Sequence, residues 1–152
     1  MINRMKVALA RTLSVTQNAR PTDVALLVLR IMVTTSLIYH HGLDKIPDWD
    51  ILMARDYLDP IGIGTAPSLI FALITDTVCA LLVLVGFGTR IASFFCVMTL
   101  GTVFFLIDHA LAPPFWPVPH GGHAEMIWVY MAAFLVFLIA GAGRYSLESK
   151  LK

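Results

Sequence analysis

The sequence predicts an all-α integral membrane protein, a bundle of four helices with both termini cytoplasmic. Three observations predict it. Apolar residues make up 58% of the chain against 14% charged, and the mean hydropathy of +0.79 is outside ordinary soluble usage. Four segments approach the roughly 20 apolar residues that a helix needs to cross a bilayer core about 30 Å thick. Basic residues concentrate beside one set of helix ends.

The first predicted helix covers about residues 24–41, after a Thr22-Asp23 start suited to capping the free amides of an opening turn. Arg30 is its one firm charge. The second covers about 67–87, opens on Pro67, which a first helical turn tolerates, and carries Asp76 as its single charge. Gly88-Thr89-Arg90 leaves room only for a tight antiparallel hairpin into the third helix, about 91–111. The fourth covers about 124–140 and stops in Gly141-Ala142-Gly143, a glycine-rich helix ending. These helices form one transmembrane domain over 22–143, between an interfacial N-terminal segment (1–21) and a cytoplasmic tail (144–152).

Orientation follows from the loops. Arg4, Lys6, Arg11, Arg20, Arg90, Arg144, Lys150 and Lys152 fall on one side, Lys45 and Arg55 on the other with Asp44, Asp48, Asp50, Asp56 and Asp59. The first set is therefore cytoplasmic and the two longer loops exoplasmic, as expected of a bacterial-type inner membrane. The stretch MINRMKVALARTL is too interrupted by Arg11 for a cleaved signal, and Met5, Leu9 and Leu13 at helical spacing suit a retained interfacial helix. Trp49, Ile51, Leu52, Met53, Tyr57 and Leu58 alternate with aspartates, as in a second surface-lying helix over the bundle mouth. The second loop, ALAPPFWPVPHGGH, has four prolines and Trp116, a stiff aromatic-anchored segment at the interface. Nothing in the chain has the basic, aromatic-interleaved character of a nucleic-acid binder, and no soluble domain is expected beside the bundle.

Counted from His41 and from Pro67, Arg30 and Asp76 both come out near mid-depth, at about 1.5 Å of rise per residue. A lone charge there costs about 2.5–3.5 kcal/mol on insertion scales, so the sequence predicts that the two pair, directly or through water, as a clamp between the first and second helices or, functionally, as a polar floor beneath an outward-facing cavity. A proton relay from this depth toward the histidines has only Thr34, Thr75 and Thr102 as stepping points.

All five histidines fall at the exoplasmic ends of the helices. Arg30, Thr34, Leu37 and His41 share one stripe, so His41 faces inward and His40, turned by about 100°, does not. Asp108 and His109 close the third helix at that level, and His120, His123 and Glu125 open the fourth. Imidazoles and carboxylates gathered so can hold a transition metal ion, and facing imidazoles can ligate haem. A His donor and an acidic partner beside an apolar slot can also hold a quinone head group. The candidate metal ligands are His41, Asp108, His109, His120, His123 and Glu125, and the candidate binding residues for an organic ligand are His41, Lys45, His109 and Glu125. Glu125 also has a structural explanation, as a carboxylate near a helix N-terminus. Cys79 and Cys96 lie in the cytoplasmic halves of their helices without a CxxC, which reads as buried thiols rather than a redox pair.

Arg30, HGLDK at 41–45, the acidic Asp76, LLVLVGFGTRIAS at 81–93, Glu125 and GAGRYSLE at 141–148, in that order, resemble the DoxX family across residues 24–148. The resemblance rests on Arg30, Gly42, Lys45, Gly86, Thr89, Arg90, Gly141, Gly143 and Ser146, while Asp76 stands where the family more usually has glutamate. It implies a small four-helix inner-membrane protein associated with sulfur or thiol redox chemistry and quinone-linked oxidoreductases. The histidines of the HGGH segment go beyond that pattern.

The sequence therefore points first to a quinone-linked or redox-associated membrane subunit with a ligand site at the exoplasmic end. There Lys45 steers a negative oxygen and His41 or His109 exchanges the proton. A metal-handling protein using the same histidines, and a non-catalytic anchor or assembly subunit, are the alternatives. The partners expected are the lipid bilayer and a redox enzyme or periplasmic protein. Ala132-Ala133 and Gly141-Ala142-Gly143 permit the close packing of a homo-oligomer.

Overall fold

The computed structural model describes residues 19–54, 59, 62–107 and 124–151. Among these residues all regular structure is helical and there are no strands. Helix α1 (Ala19–Leu37) runs on through a π turn (Ile38–Gly42) and a 3₁₀ turn (Leu43–Lys45), so the first apolar helix continues past His41 to Lys45. Helix α2 (Trp49–Ala54) is the short helix expected in the first loop. The next long helix is built of α3 (Thr65–Ile74), a π turn (Thr75–Cys79) and α4 (Ala80–Val85). Helix α5 (Thr89–Thr102) ends in a third π turn (Val103–Ile107), α6 is Ala124–Ala140 and α7 is Leu147–Lys150. The expected N-terminal interfacial helix, the proline-rich second loop and the end of the third helix beyond 107 lie outside the described residues.

Two helices, Pro21–Lys45 and Thr65–Val85, are long and apolar enough to cross a membrane, and Thr89–Phe105 and Glu125–Ala140 are shorter apolar helices. Side chains from all four meet in one core, including Leu37, Val83, Cys96, Phe104, Phe134 and Phe137. Helix α5 packs along α6, and α1 packs against α4.

Several polar side chains are buried within this apolar core while large apolar ones face outward. Arg30, Thr34, Thr75, Thr89 and Ser93 are almost wholly buried, whereas Ile31, Met32, Ile70, Val78, Ile91 and Ile139 are exposed. Soluble helices turn such apolar side chains inward. Three threonine hydroxyls bond back to carbonyls of their own helices. Thr34 Oγ1 donates to the Arg30 carbonyl at 2.6 Å, Thr75 Oγ1 to Ala72 at 2.9 Å and Thr102 Oγ1 to Met98 at 2.8 Å.

The turn after α4 is set by glycine. Gly86 has φ of +74°, a left-handed cap whose amide closes on Leu82 and Val83, and Gly88 (φ +57°) turns the chain into α5. A Cβ on Gly86 would lie 2.5 Å from Ser146 Cβ and 2.7 Å from Arg30 Nη1, and its carbonyl accepts the Glu148 amide at 3.0 Å. The C-terminal segment thus seats directly on this turn.

At the opposite end, Asp59 caps the start of α3. Its carboxylate accepts the amides of Gly64 (2.7 Å) and Ile63 (2.9 Å) and the Ser68 hydroxyl (2.9 Å). The Gly64 amide above all, with Ser68, Ile63 and Gly62 adding, holds the Asp59 carboxyl below the ordinary carboxylate value against an opposing effect of desolvation.

Gly86→Ala should destabilise the fold by at least about 1–2 kcal/mol from the left-handed backbone alone, with displacement of Ser146 added. The check is a lowered thermal midpoint of helical circular dichroism in detergent. Because the folded carboxyl of Asp59 is depressed, its contribution is complete above the unfolded value of about 3.9 and is lost as pH falls through the folded one. Hydrogen-exchange protection at the Ile63 and Gly64 amides should collapse in that acid range. In Asp59→Asn it should be weaker at neutral pH and insensitive to acid.

Candidate functional site

The π turns at Ile38–Gly42 and Thr75–Cys79 pack on each other, and the candidate site is where they meet. A π turn inserts one residue into the helical ladder, re-aims the side chains that follow, and recurs at functional sites. Here two such insertions face one another across Gly42. A Cβ on Gly42 would lie 2.5 Å from Thr77 Cγ2 and 3.0 Å from the Asp76 carbonyl oxygen, so only glycine lets the two backbones approach this closely.

That approach brings Lys45 over Asp76. Lys45 Nζ lies 2.5 Å from Asp76 Oδ2 and also donates to the His41 carbonyl at 2.5 Å. The side chains are only 15% and 11% exposed, so the ion pair is largely withdrawn from solvent. The residue spacing makes this natural: Lys45 follows His41 by one helical turn, and its stem spans that turn to the carbonyl.

The sequence expectation that Asp76 pairs with Arg30 is corrected here. The Arg30 guanidinium donates through Nη1 to the Ala142 carbonyl at 2.8 Å and through Nη2 to the Tyr145 carbonyl at 2.5 Å. The physical reason is depth. Arg30 lies beside Gly86, ten residues or about 15 Å of helix from Asp76. Counting from His41 misplaced it, because the first helix ends at Lys45.

His41 is half-buried, its ring meeting Tyr130 edge-to-face with centroids 5.7 Å apart. Tyr130 is buried, and its hydroxyl shares a 2.7 Å hydrogen bond with Ser36 Oγ. Ser36 in turn lines an open groove of about 420 Å³ on the outer face of α1, with Ile31, Met32, Thr35, Tyr39 and His40. Sequence reasoning named neither Ser36 nor Tyr130. The legible signal was their type: a serine and a tyrosine in apolar helices, one turn from the histidines.

Of the other sequence candidates, Glu125 is exposed in the first turn of α6, a position that favours a carboxylate whatever else it does. His40 is exposed beside Tyr39. Asp108, His109, His120 and His123 lie outside the described residues. Among the described residues no three His, Cys, Asp or Glu side chains gather as a metal site. Cys79 and Cys96 are buried free thiols, and Cys96 Sγ donates to the Thr75 carbonyl at 3.5 Å.

Thr34, Thr75 and Thr102 carry no relay, since each hydroxyl donates to its own helix. The remaining residues of the family resemblance sort by end. Gly42, Lys45 and Asp76 build the site just described. Gly86, Gly141, Gly143, Ser146, Thr89 and Arg90 gather at the Arg30 end.

Regular structure that is all helical among the described residues, long apolar helices, polar side chains buried in the core and an apolar exterior mark a protein of the membrane-helix class. Within that class it belongs to the DoxX family, whose profile matches residues 25–109, more than half of the chain. A protein of Haemophilus influenzae, described as an uncharacterized protein, is 30% identical over 123 residues, covering 80% of this chain and 87% of that one. No solved structure matches.

Asp76→Ala should cost about 3 kcal/mol, because it leaves the Lys45 ammonium withdrawn from solvent without its counter-charge. The double variant Lys45→Met/Asp76→Leu should recover most of that loss. Unfolding titrations of the three proteins in mixed micelles measure both effects.

Proposed function

We propose that this protein is a multi-pass inner-membrane, redox-associated subunit that holds a quinone-type head group at its outer end. In this reading the four apolar helices cross the bilayer, with the Arg30 end cytoplasmic and the Lys45 end exoplasmic. The charge distribution supports that orientation. Arg90, Arg144 and Lys150 stand at the first end, whereas Lys45 stands among Asp44, Asp48 and Asp50.

The observation that carries the ligand reading is a continuous line of groups from the outer groove to the buried carboxylate. Ser36 and Tyr130 share a hydrogen bond, Tyr130 meets His41, and the His41 carbonyl and Asp76 both hold Lys45. A quinone requires a hydrogen-bond donor for its carbonyl oxygen, an apolar wall for its ring and tail, and a nearby group able to exchange a proton. Ser36 and Tyr130 supply the first, and Ile31 and Met32 the second. His41 and Asp76 supply the third. A bound metal has no such support among the described residues.

The test uses an azido-quinone photoprobe on the full-length protein in lipid nanodiscs. Labelling should fall on α1 between Ile31 and His40 and be competed by excess short-chain ubiquinone. Ser36→Ala and Tyr130→Phe should each weaken labelling about tenfold at unchanged melting temperature, the loss of one hydrogen bond to a polar head group. Labelling that is not competed, or that both variants retain in full, would falsify the quinone reading.

A further inference from the structure

The Arg30 end holds a second polar feature that the outer site does not use. A cavity of about 520 Å³ opens between the start of α5 and the chain after α6, lined by Gly88, Arg90, Gly141, Ala142, Gly143 and Ser146 among others. We propose that this cavity binds a phosphate group.

Two guanidinium groups bracket its wall. Arg90 lies across Gly141, where a Cβ would sit 3.5 Å from Arg90 Nε, and Arg90 Nη2 donates to the Ile139 carbonyl at 3.2 Å. That bond uses one of the five N–H donors of an arginine. From behind, Arg30 reaches the Ala142 carbonyl, and Ala142 is itself a lining residue. Arg30 is 2% exposed and, among the described residues, pairs with no carboxylate.

The glycines let an anion approach backbone. Gly88, Gly141 and Gly143 all have positive φ and present no Cβ to the cavity. Thr89, between Gly88 and Arg90, is fully buried with its hydroxyl unpartnered, as is the Arg30 Nε. The acidic side chains of this end are Asp23, whose Oδ1 accepts the Arg144 amide at 3.0 Å, and Glu148 on the cavity rim. Against them stand Arg30, Arg90, Arg144 and Lys150, so the balance favours an anion. Arginine is the side chain best shaped for phosphate, and basic pockets between helix ends on a cytoplasmic face suit acidic head groups. Ile91 and Ala140, also in the lining, give an apolar shoulder for the glycerol and upper acyl chain of a lipid.

The experiment takes the full-length protein in phosphatidylcholine nanodiscs with and without phosphatidylglycerol. Separately, in neutral detergent, inorganic phosphate is compared with chloride at matched ionic strength. Retained lipid is read by native mass spectrometry and stability by melting temperature. Phosphatidylglycerol should be retained in preference to phosphatidylcholine and should raise the melting temperature. Arg90→Gln should cut retention about tenfold, and Arg90→Lys should lose less. Ala140→Phe, at an exposed helix position, occludes the cavity without altering charge and should match Arg90→Gln even if that variant folds poorly. Stabilisation by inorganic phosphate that displaces the lipid assigns the site to phosphate compounds in general. Stabilisation by phosphatidylglycerol alone assigns it to lipid. Equal retention of the two lipids with no phosphate effect, or retention unchanged in Ala140→Phe, overturns the proposal.

Discussion

The packing of this protein depends on how one buried guanidinium is satisfied. Arg30 is among the least exposed side chains of the chain, and an arginine in that position requires acceptors fixed in space. They come from the segment just after α6, where the Ala142 and Tyr145 carbonyls have left the helical ladder and need donors of their own. Each side therefore completes the other. Gly86 must be a glycine because Arg30 and Ser146 occupy the space of its side chain, and Gly143 lies against Asp23. The Asp23 carboxylate then takes the Arg144 amide, and the Gly86 carbonyl takes the Glu148 amide. The turns of the first, second and fourth long helices at this end are held by a single charge and the backbone around it.

The other end works by a different principle. There the charges are paired, and the device that pairs them is a change in helical pitch. Without the π turns, Gly42 and Asp76 would not share an approach tight enough for Thr77 to fill the glycine notch. Lys45 then has both a carbonyl and a carboxylate within reach. A neutral pair of this kind costs less to bury than either ion alone, which allows the site to sit among apolar helices.

How much of this could be read from the sequence follows from which interactions are periodic. The helix at Ala124–Ala140, the hairpin at Gly88 and the short helix after Trp49 were legible, because apolar runs and turn glycines mark them directly. The Arg30 partners were not legible, since they are backbone carbonyls without a sequence signature, and two opposite charges at similar counted depth invited a false pairing. The π turns were invisible for the same reason: they break the period on which the depth count relied. Tyr130 and Ser36 were hidden among apolar neighbours, each being an ordinary residue for a helix interior.

The separation of the two ends bears on what kind of membrane protein this is. Between the Arg30 level and the Asp76 level the described core is Leu37, Ala80, Val83, Cys96 and Phe134, with Thr34, Thr75 and Ser93 the polar side chains among them. Both threonine hydroxyls are committed to their own helices. Among the described residues no carboxylate or imidazole lies between Asp76 and Arg30 over about 15 Å of helix. The contacts of Asp76 run the other way, to Lys45, which also holds the His41 carbonyl, while the His41 ring meets Tyr130, whose hydroxyl bonds Ser36 in the groove on α1. On the proposed reading, that arrangement suits a ligand site at the Lys45 end better than a relay between the two ends. It leaves the Arg30 end to hold the helices together.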